Sequence, residues 1–322
     1  MYHPMQAAVY VTHRQVPGWD FQARHAAALE QLIPNLSVRI CRDAASFLAA
    51  LPEAELAIVW RFRQEWLAQA PKLRLLVTPA AGRDYFSMVP PAAVELAYGR
   101  FHGIIMGETV VGMLLAMCRG ILPAADRQTH SAWPRTELAP RMTRLRGSHV
   151  VILGCGHIGS HIARLLQPFG ARLTGVRRSP APPPVFFGDD DRIATVADLD
   201  RILPTADHLV LCLPGAAGTD RLIDQRRLAL LPPTATLCNV GRGNALDEEA
   251  LIDALRGNRL AGASLDVFHE EPLPLPSPLR TCPNLWLMPH ASAIAPDYLD
   301  LFVAELGERW QAKEFHLARE RT

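Results

Sequence analysis

Arg242, Glu271 and His290 are the residues of this chain best suited to chemistry. Each closes a short apolar run that reads as a buried parallel strand: 235–241 before Arg242, 261–268 before Glu271, and 285–289 before His290. A guanidinium, a carboxylate and an imidazole delivered to one crevice suit polarising a carbonyl and moving a proton. In a doubly wound sheet, loops at the carboxyl ends of the strands converge on such a crevice. The alternative is three solvated charges that never meet, and the trio alone does not exclude it.

The case for convergence lies upstream. The apolar strand from His149 runs straight into Gly154-Cys155-Gly156-His157-Ile158-Gly159, the spacing G-x-G-x-x-G, and residues 158, 162, 165 and 166 continue at helical spacing. Gly154 permits a tight turn, Gly156 lets backbone approach a pyrophosphate, and Gly159 allows a helix to pack closely on the strand. The helix N-terminus that follows attracts phosphates. A lone G-x-G-x-x-G is a weak signal, but here strand, turn, helix and a next strand (Ala171 to Val176) occur in order. The expectation is a dinucleotide site.

The end of that next strand selects the cofactor. NAD enzymes place an acid about 20 residues past the glycines, against the ribose 2′-hydroxyl. This chain has Arg177-Arg178-Ser179 there and no acid until Asp189. Two guanidiniums welcome a 2′-phosphate, so NADP is expected, with NAD as second choice. The competing reading is a solvated arginine pair opening the Pro-rich loop 179–184.

The elements that must position these residues alternate between strand and helix. Apolar strands are expected at Ala7 to Val11, Val38 to Ile40, Leu56 to Val59, Leu73 to Thr78 and Val94 to Tyr98. Helical stretches are expected at Phe21 to Leu32 and Ala44 to Leu51, and a long helix at Gly107 to Leu122. Such alternation argues an α/β protein with parallel sheets covered by helices. Met106, Met113 and Met117 read as packing residues, and Asp189 to Asp191 as a solvated turn.

Composition narrows the class. At 322 residues the chain exceeds one typical core, so two domains are expected. The 49% hydrophobic share supports sizeable cores, and no apolar stretch is long enough for a membrane span. A net charge of +1 without a dense basic cluster argues against nucleic acid. The six cysteines form no C-x-x-C pair, which fits reduced thiols in a cytoplasmic protein better than disulfides or zinc. No metal is expected. The N-terminus lacks the regions of a signal peptide.

Taken in order, the motifs resemble those of the D-isomer-specific 2-hydroxyacid dehydrogenases over nearly the whole chain. Leu145-Arg146-Gly147, the 154–159 glycine turn and Phe169-Gly170 resemble the family's cofactor half. Cys212-Leu213-Pro214 with Thr219 resembles its segment lining the cofactor. Asn239-Val240-Gly241-Arg242-Gly243 resembles the arginine motif, Leu265 to Leu273 the glutamate motif, and Met288-Pro289-His290-Ala291 the histidine motif. The resemblance implies two doubly wound parallel-sheet domains, a Rossmann cofactor domain inserted in a flavodoxin-like substrate domain, with the active site in the cleft between them. The divisions it implies are 1–99 for the substrate domain, 100–292 for the NAD(P)-binding domain with dimerisation helices, and 293–322 for a return to the substrate domain.

It also implies roles. Arg242, Glu271 and His290 become catalytic, with Glu271 rather than Glu270 as the acid because it immediately precedes the proline. Gly154, Gly156, His157, Ile158, Gly159, Arg177, Arg178, Ser179, Cys212, Leu213, Pro214, Thr219, Val240, Gly241, Asp266 and Ala291 become cofactor contacts. Asp266 near the nicotinamide competes with a turn-capping reading. Ala81 and Gly82 match a turn that binds the substrate carboxylate, together with Arg242 and His290. The implied reaction is NADPH-dependent reduction of a small 2-oxo acid such as glyoxylate or hydroxypyruvate, by a homodimer packed through residues 107–141. Two alternatives stand beside it: a non-catalytic dinucleotide-binding regulatory protein, and an NAD-using dehydrogenase of a larger 2-hydroxy acid. Three departures from the family pattern bear on this. Arg83 replaces a small residue and is either a second cation for a dicarboxylate or phosphorylated acid, or solvated. His102 either touches substrate or is a hinge histidine satisfied by backbone. No threonine follows Pro214.

Overall fold

The apolar runs of the first hundred residues form five parallel strands: β1 (Met5–Tyr10), β2 (Leu36–Ile40), β3 (Leu56–Val59), β4 (Leu75–Thr78) and β5 (Glu95–Tyr98). Every residue of β3 and β4 is buried, as expected of strands covered on both faces. The order β2-β1-β3-β4-β5 is the flavodoxin-like order. In this computed structural model residues 3–86, 88–128 and 133–320 are described. The strands belong to one compact unit, Met1–His102 with Ile294–Thr322; the second unit is Gly103–Ala293. The divisions fall at 102/103 and 293/294, against the expected 99/100 and 292/293.

The second unit holds seven parallel strands: β6 (His149–Leu153), β7 (Arg172–Arg177), β8 (Arg192–Thr195), β9 (His208–Leu211), β10 (Thr236–Asn239), β11 (Gly262–Leu265) and β12 (Leu285–Leu287). Their order, β12-β11-β10-β9-β6-β7-β8, reverses direction at β6/β9, the arrangement of a Rossmann fold. Alternation along β6 feeds two cores. Val151 and Leu153 join Leu209, Leu237 and Leu265 on one face, while Val150 and Ile152 join Leu173, Val210 and Cys238 on the other. Met106 and Met117 are buried in the latter core, and Met113 packs against it.

Three local expectations are corrected. The long helix is two, His102–Cys118 and Ile121–Arg127, because Gly120 takes a left-handed φ of 70° and breaks the run. The first helix begins at Ala23, not Phe21. The helix His157–Leu166 forms where residues 158, 162, 165 and 166 place it, and Leu165, 38% exposed, lies over Gly107 of the helix His102–Cys118. Asp191 is no idle turn acid: its carboxylate accepts from the Leu173 amide at 2.7 Å and the Gln167 amide group at 2.6 Å, fastening the start of β7. Among the described residues no single helix is long and apolar enough to cross a membrane.

Candidate active site

The loops that follow β6, β9, β10 and β11 are drawn into backbone contact at two glycines. Gly154 ends β6 at φ 100°, and a Cβ there would fall 2.4 Å from the Cys212 carbonyl oxygen. A Cβ on Gly243 would fall 1.9 Å from the Phe268 carbonyl carbon. The first contact joins the glycine turn to the 212–214 segment; the second seats the Arg242 loop against the Glu271 loop.

Within the arginine loop, Asn239 acts as a clamp. Its Oδ1 accepts from the Gly241 amide at 3.1 Å and its Nδ2 donates to the Arg242 carbonyl at 3.2 Å. Arg242 is half-buried, and its Nη1 donates to the Gly241 carbonyl at 2.9 Å. Its charge acts on both Glu271 and His290.

Glu271 and His290 meet directly, with Nδ1 of the imidazole 2.7 Å from Oε2 of the carboxylate. Oε1 of Glu271 accepts from the Phe268 amide at 3.0 Å, which orients the carboxylate. His290 sits in the left-handed region, φ 51°, a conformation that must be imposed on a histidine. Asp266 imposes it. Its carbonyl accepts from the His290 amide at 2.8 Å, and its carboxylate accepts from the Ala291 and Ser292 amides at 2.6 and 3.0 Å. Asp266 thereby fastens the turn that carries His290.

Electrostatics follow from these contacts. The hydrogen bond to Glu271 is the main cause that lifts the His290 imidazole above its ordinary value; burial opposes it, and the carboxylate charge adds to it. Burial pushes the Glu271 carboxyl up, but the bonds from His290 and the Phe268 amide, with the charges of His290 and Arg242, leave it below the usual value. With Nδ1 occupied, Nε2 of His290 is the nitrogen available for proton transfer. The His290 side chain is 45% exposed, so a small molecule reaches it.

The remaining predicted residues divide by place. Gly156 opens onto empty space at the N-terminus of the helix His157–Leu166, and Gly159 packs beside the Gly154 carbonyl. Arg177 ends β7 with Nε on the Cys155 carbonyl at 2.5 Å and Nη2 3.5 Å from Ser160 Oγ, so its guanidinium lies against the glycine turn. Arg178 and Ser179 are exposed. An open cradle at a helix N-terminus with a cation beside it fits a dinucleotide phosphate. Val240 is core, and burial pushes the Cys212 thiol up to about 12, keeping it protonated. The Thr219 hydroxyl lies 2.9 and 2.7 Å from the Pro214 and Ala216 carbonyls, holding its own loop. Ala81 and Gly82 belong to the other unit, half-buried between β4 and the turn Arg83–Tyr85. His102 is buried with Nε2 2.8 Å from the Tyr298 hydroxyl. Among the described residues no cluster of three or more His, Cys, Asp or Glu is placed to hold a metal.

Sequence reasoning missed Asn239 and Glu248. Asn239 stands two residues before a glycine, the pattern of an Asx turn, which would have exposed its clamp. Glu248 Oε1 accepts from the His269 amide at 2.7 Å and so steadies the Glu271 loop; no local pattern announces a contact 21 residues apart.

The family model for the D-isomer specific 2-hydroxyacid dehydrogenase NAD binding domain matches residues 111–292. Glyoxylate/hydroxypyruvate reductase B of Pectobacterium carotovorum is 34% identical over 236 residues, 70% of this chain and 71% of that one. A D-isomer specific 2-hydroxyacid dehydrogenase of Xanthobacter autotrophicus, solved with NADPH and MES, has a TM-score of 0.74 at 28% identity over 97% of this chain and 96% of that one. The NADPH-dependent glyoxylate/hydroxypyruvate reductase of Sinorhizobium meliloti, solved with NADP and sulfate, has a TM-score of 0.72 at 25% identity over 96% of each. The chain belongs to the D-isomer-specific 2-hydroxyacid dehydrogenases, which are NAD(P)-dependent oxidoreductases.

Proposed function

We propose that this protein uses NADPH to reduce a small 2-oxo acid, of the glyoxylate or hydroxypyruvate kind, to the D-2-hydroxy acid. The observation that carries this reading is the 2.7 Å contact of His290 with Glu271, within the field of Arg242. Arg242 binds the C2 oxygen and carboxylate of the acid and stabilises charge developing on that oxygen. His290 donates a proton from Nε2 to the same oxygen. Glu271 orients the imidazole and keeps it protonated near neutral pH. Bound NADPH supplies the hydride to C2. The residues expected to hold the cofactor are the 154–159 glycine turn, Arg177 to Ser179, the 212–214 segment with Thr219, Val240, Gly241, Asp266 and Ala291. In the smaller unit, the Ala81 and Gly82 amides receive the substrate carboxylate. The named activities of the Pectobacterium and Sinorhizobium relatives support this choice of acid.

The His290–Glu271 pair is tested by pH. Reduction needs the protonated imidazole, so the rate falls as pH rises through the raised value of His290. Glu271→Gln removes the main cause of that elevation and should move the falling limb to lower pH. An unmoved limb in pH–rate profiles of the variant would show that the carboxylate does not tune the acid.

The protein is also read as a homodimer packed through residues 107–141, of which 129–132 lie outside the described residues. Ile121 and Trp133 are exposed there, and apolar surface of this kind favours burial against a second copy. Light scattering should give twice the chain mass; a stable monomer at micromolar concentration would count against it. Its compartment is expected to be the cytoplasm, in keeping with six unpaired thiols.

A further inference from the structure

The sheet of the smaller unit reverses direction between β1 and β3. In open parallel sheets such a reversal opens a crevice at the carboxyl ends of the two strands, where ligands bind. The loop after β1 carries His13 and Trp19 to that end, and β3 runs directly into Trp60 and Arg61. The Trp19 and Trp60 rings lie 5.5 Å apart, with the His13 ring edge-on to Trp19 at 4.9 Å. The Tyr298 ring closes the cluster, 5.1 Å from Trp19 and 6.0 Å from Trp60.

The polar groups of this cluster are nearly all donors. Both indole nitrogens are buried, and neither meets an acceptor among the described residues. An unmatched buried donor is costly, and a water, an ion or a ligand is its usual resolution. His13 Nδ1 accepts from the Gln15 and Val16 amides at 3.3 and 3.0 Å, so the neutral ring carries its proton on Nε2. The Arg61 guanidinium is held 5.4 Å from the Tyr85 ring, and among the described residues no carboxylate pairs with it. On the loop after β4, next to Ala81 and Gly82, Arg83 is held 5.9 Å from the Tyr98 ring. The carboxylate of the first loop, Asp20, is engaged by the His13 amide at 2.7 Å.

We infer that this crevice is an anion subsite, and that its ligand is the second acidic group, carboxylate or phosphate, of a 2-oxo acid that carries one. The identity of the ligand rests on the reductase reading above; the anion subsite stands on the smaller unit alone.

Paired substrates test it. The first pair is 2-oxoglutarate and 2-oxopentanoate, which lacks the second carboxylate; the second is 3-phosphohydroxypyruvate and hydroxypyruvate. In at least one pair the member with the second acidic group should lead in kcat/KM by about tenfold or more, and the pair that shows the lead separates carboxylate from phosphate. Arg61→Ala should bring that ratio close to one through KM. Without cofactor, the favoured acid should change the indole fluorescence, and Trp60→Phe should remove most of the change. Equal kcat/KM within both pairs, or a lead that survives Arg61→Ala, overturns the inference. If no acid is turned over, a fluorescence response to 2-oxoglutarate or phosphohydroxypyruvate that Arg61→Ala abolishes still supports the subsite while refuting the reductase reading. Silence in both assays refutes both.

Discussion

Replacing His290 with alanine is expected to lower kcat by something on the order of 10²–10⁴, the range for a positioned general acid. The magnitude follows from what the side chain supplies. It is held through Nδ1 by Glu271, its backbone is fixed by Asp266, and Nε2 is left as a proton donor. Alanine removes the donor, so the developing alkoxide must take its proton from water, while Arg242 still stabilises its charge. Cofactor affinity should change little, because the glycine turn and Arg177 are untouched. NADPH titration by fluorescence separates this loss of chemistry from a loss of binding. A variant that binds NADPH and keeps near-normal kcat would sink the assignment of His290.

The unmodified enzyme is expected to prefer NADPH over NADH by about tenfold to a hundredfold in kcat/KM. A charge-assisted hydrogen bond is worth roughly 1.5–3 kcal/mol, which is that range. Arg177 is anchored through Nε on the Cys155 carbonyl, so its charge is held at the turn rather than swinging in solvent, and Arg178 adds a second cation beside it. Arg177→Asp should weaken NADPH strongly, through lost attraction and added repulsion, and NADH less. Comparable kcat/KM for the two cofactors in the unmodified enzyme would show that neither arginine meets a 2′-phosphate.

Much of the framework is legible in the sequence because it depends on local pattern. Fully buried parallel strands are continuous apolar runs, so Leu56 to Val59 and the strand entering Gly154 stand out, and the glycine spacing marks where the sheet reverses. The choice of Glu271 over its neighbour Glu270 comes from the motif; the structure puts Glu271 against His290 and leaves Glu270 exposed. What stays hidden depends on contacts distant in sequence. Asp266 grips amides 25 and 26 residues away. Glu248 grips one 21 residues away, and Asp191 reaches the start of β7. Gly120 looks like one more small residue in an apolar helix, and only its left-handed φ reveals a break. The indole nitrogens of Trp19 and Trp60 carry no signal at all, since their lack of acceptors is a property of the packed cluster.

Hydride transfer to C2 is tested by supplying hydroxypyruvate and NADPH deuterated at the transferable position of nicotinamide C4 to the purified protein. NADPH absorbance should fall stoichiometrically and D-glycerate should carry one deuterium at C2, both lost together in His290→Ala. Tight NADPH binding with no consumption on hydroxypyruvate, glyoxylate or larger 2-oxo acids would contradict it, and would instead mark a dinucleotide-binding protein without turnover.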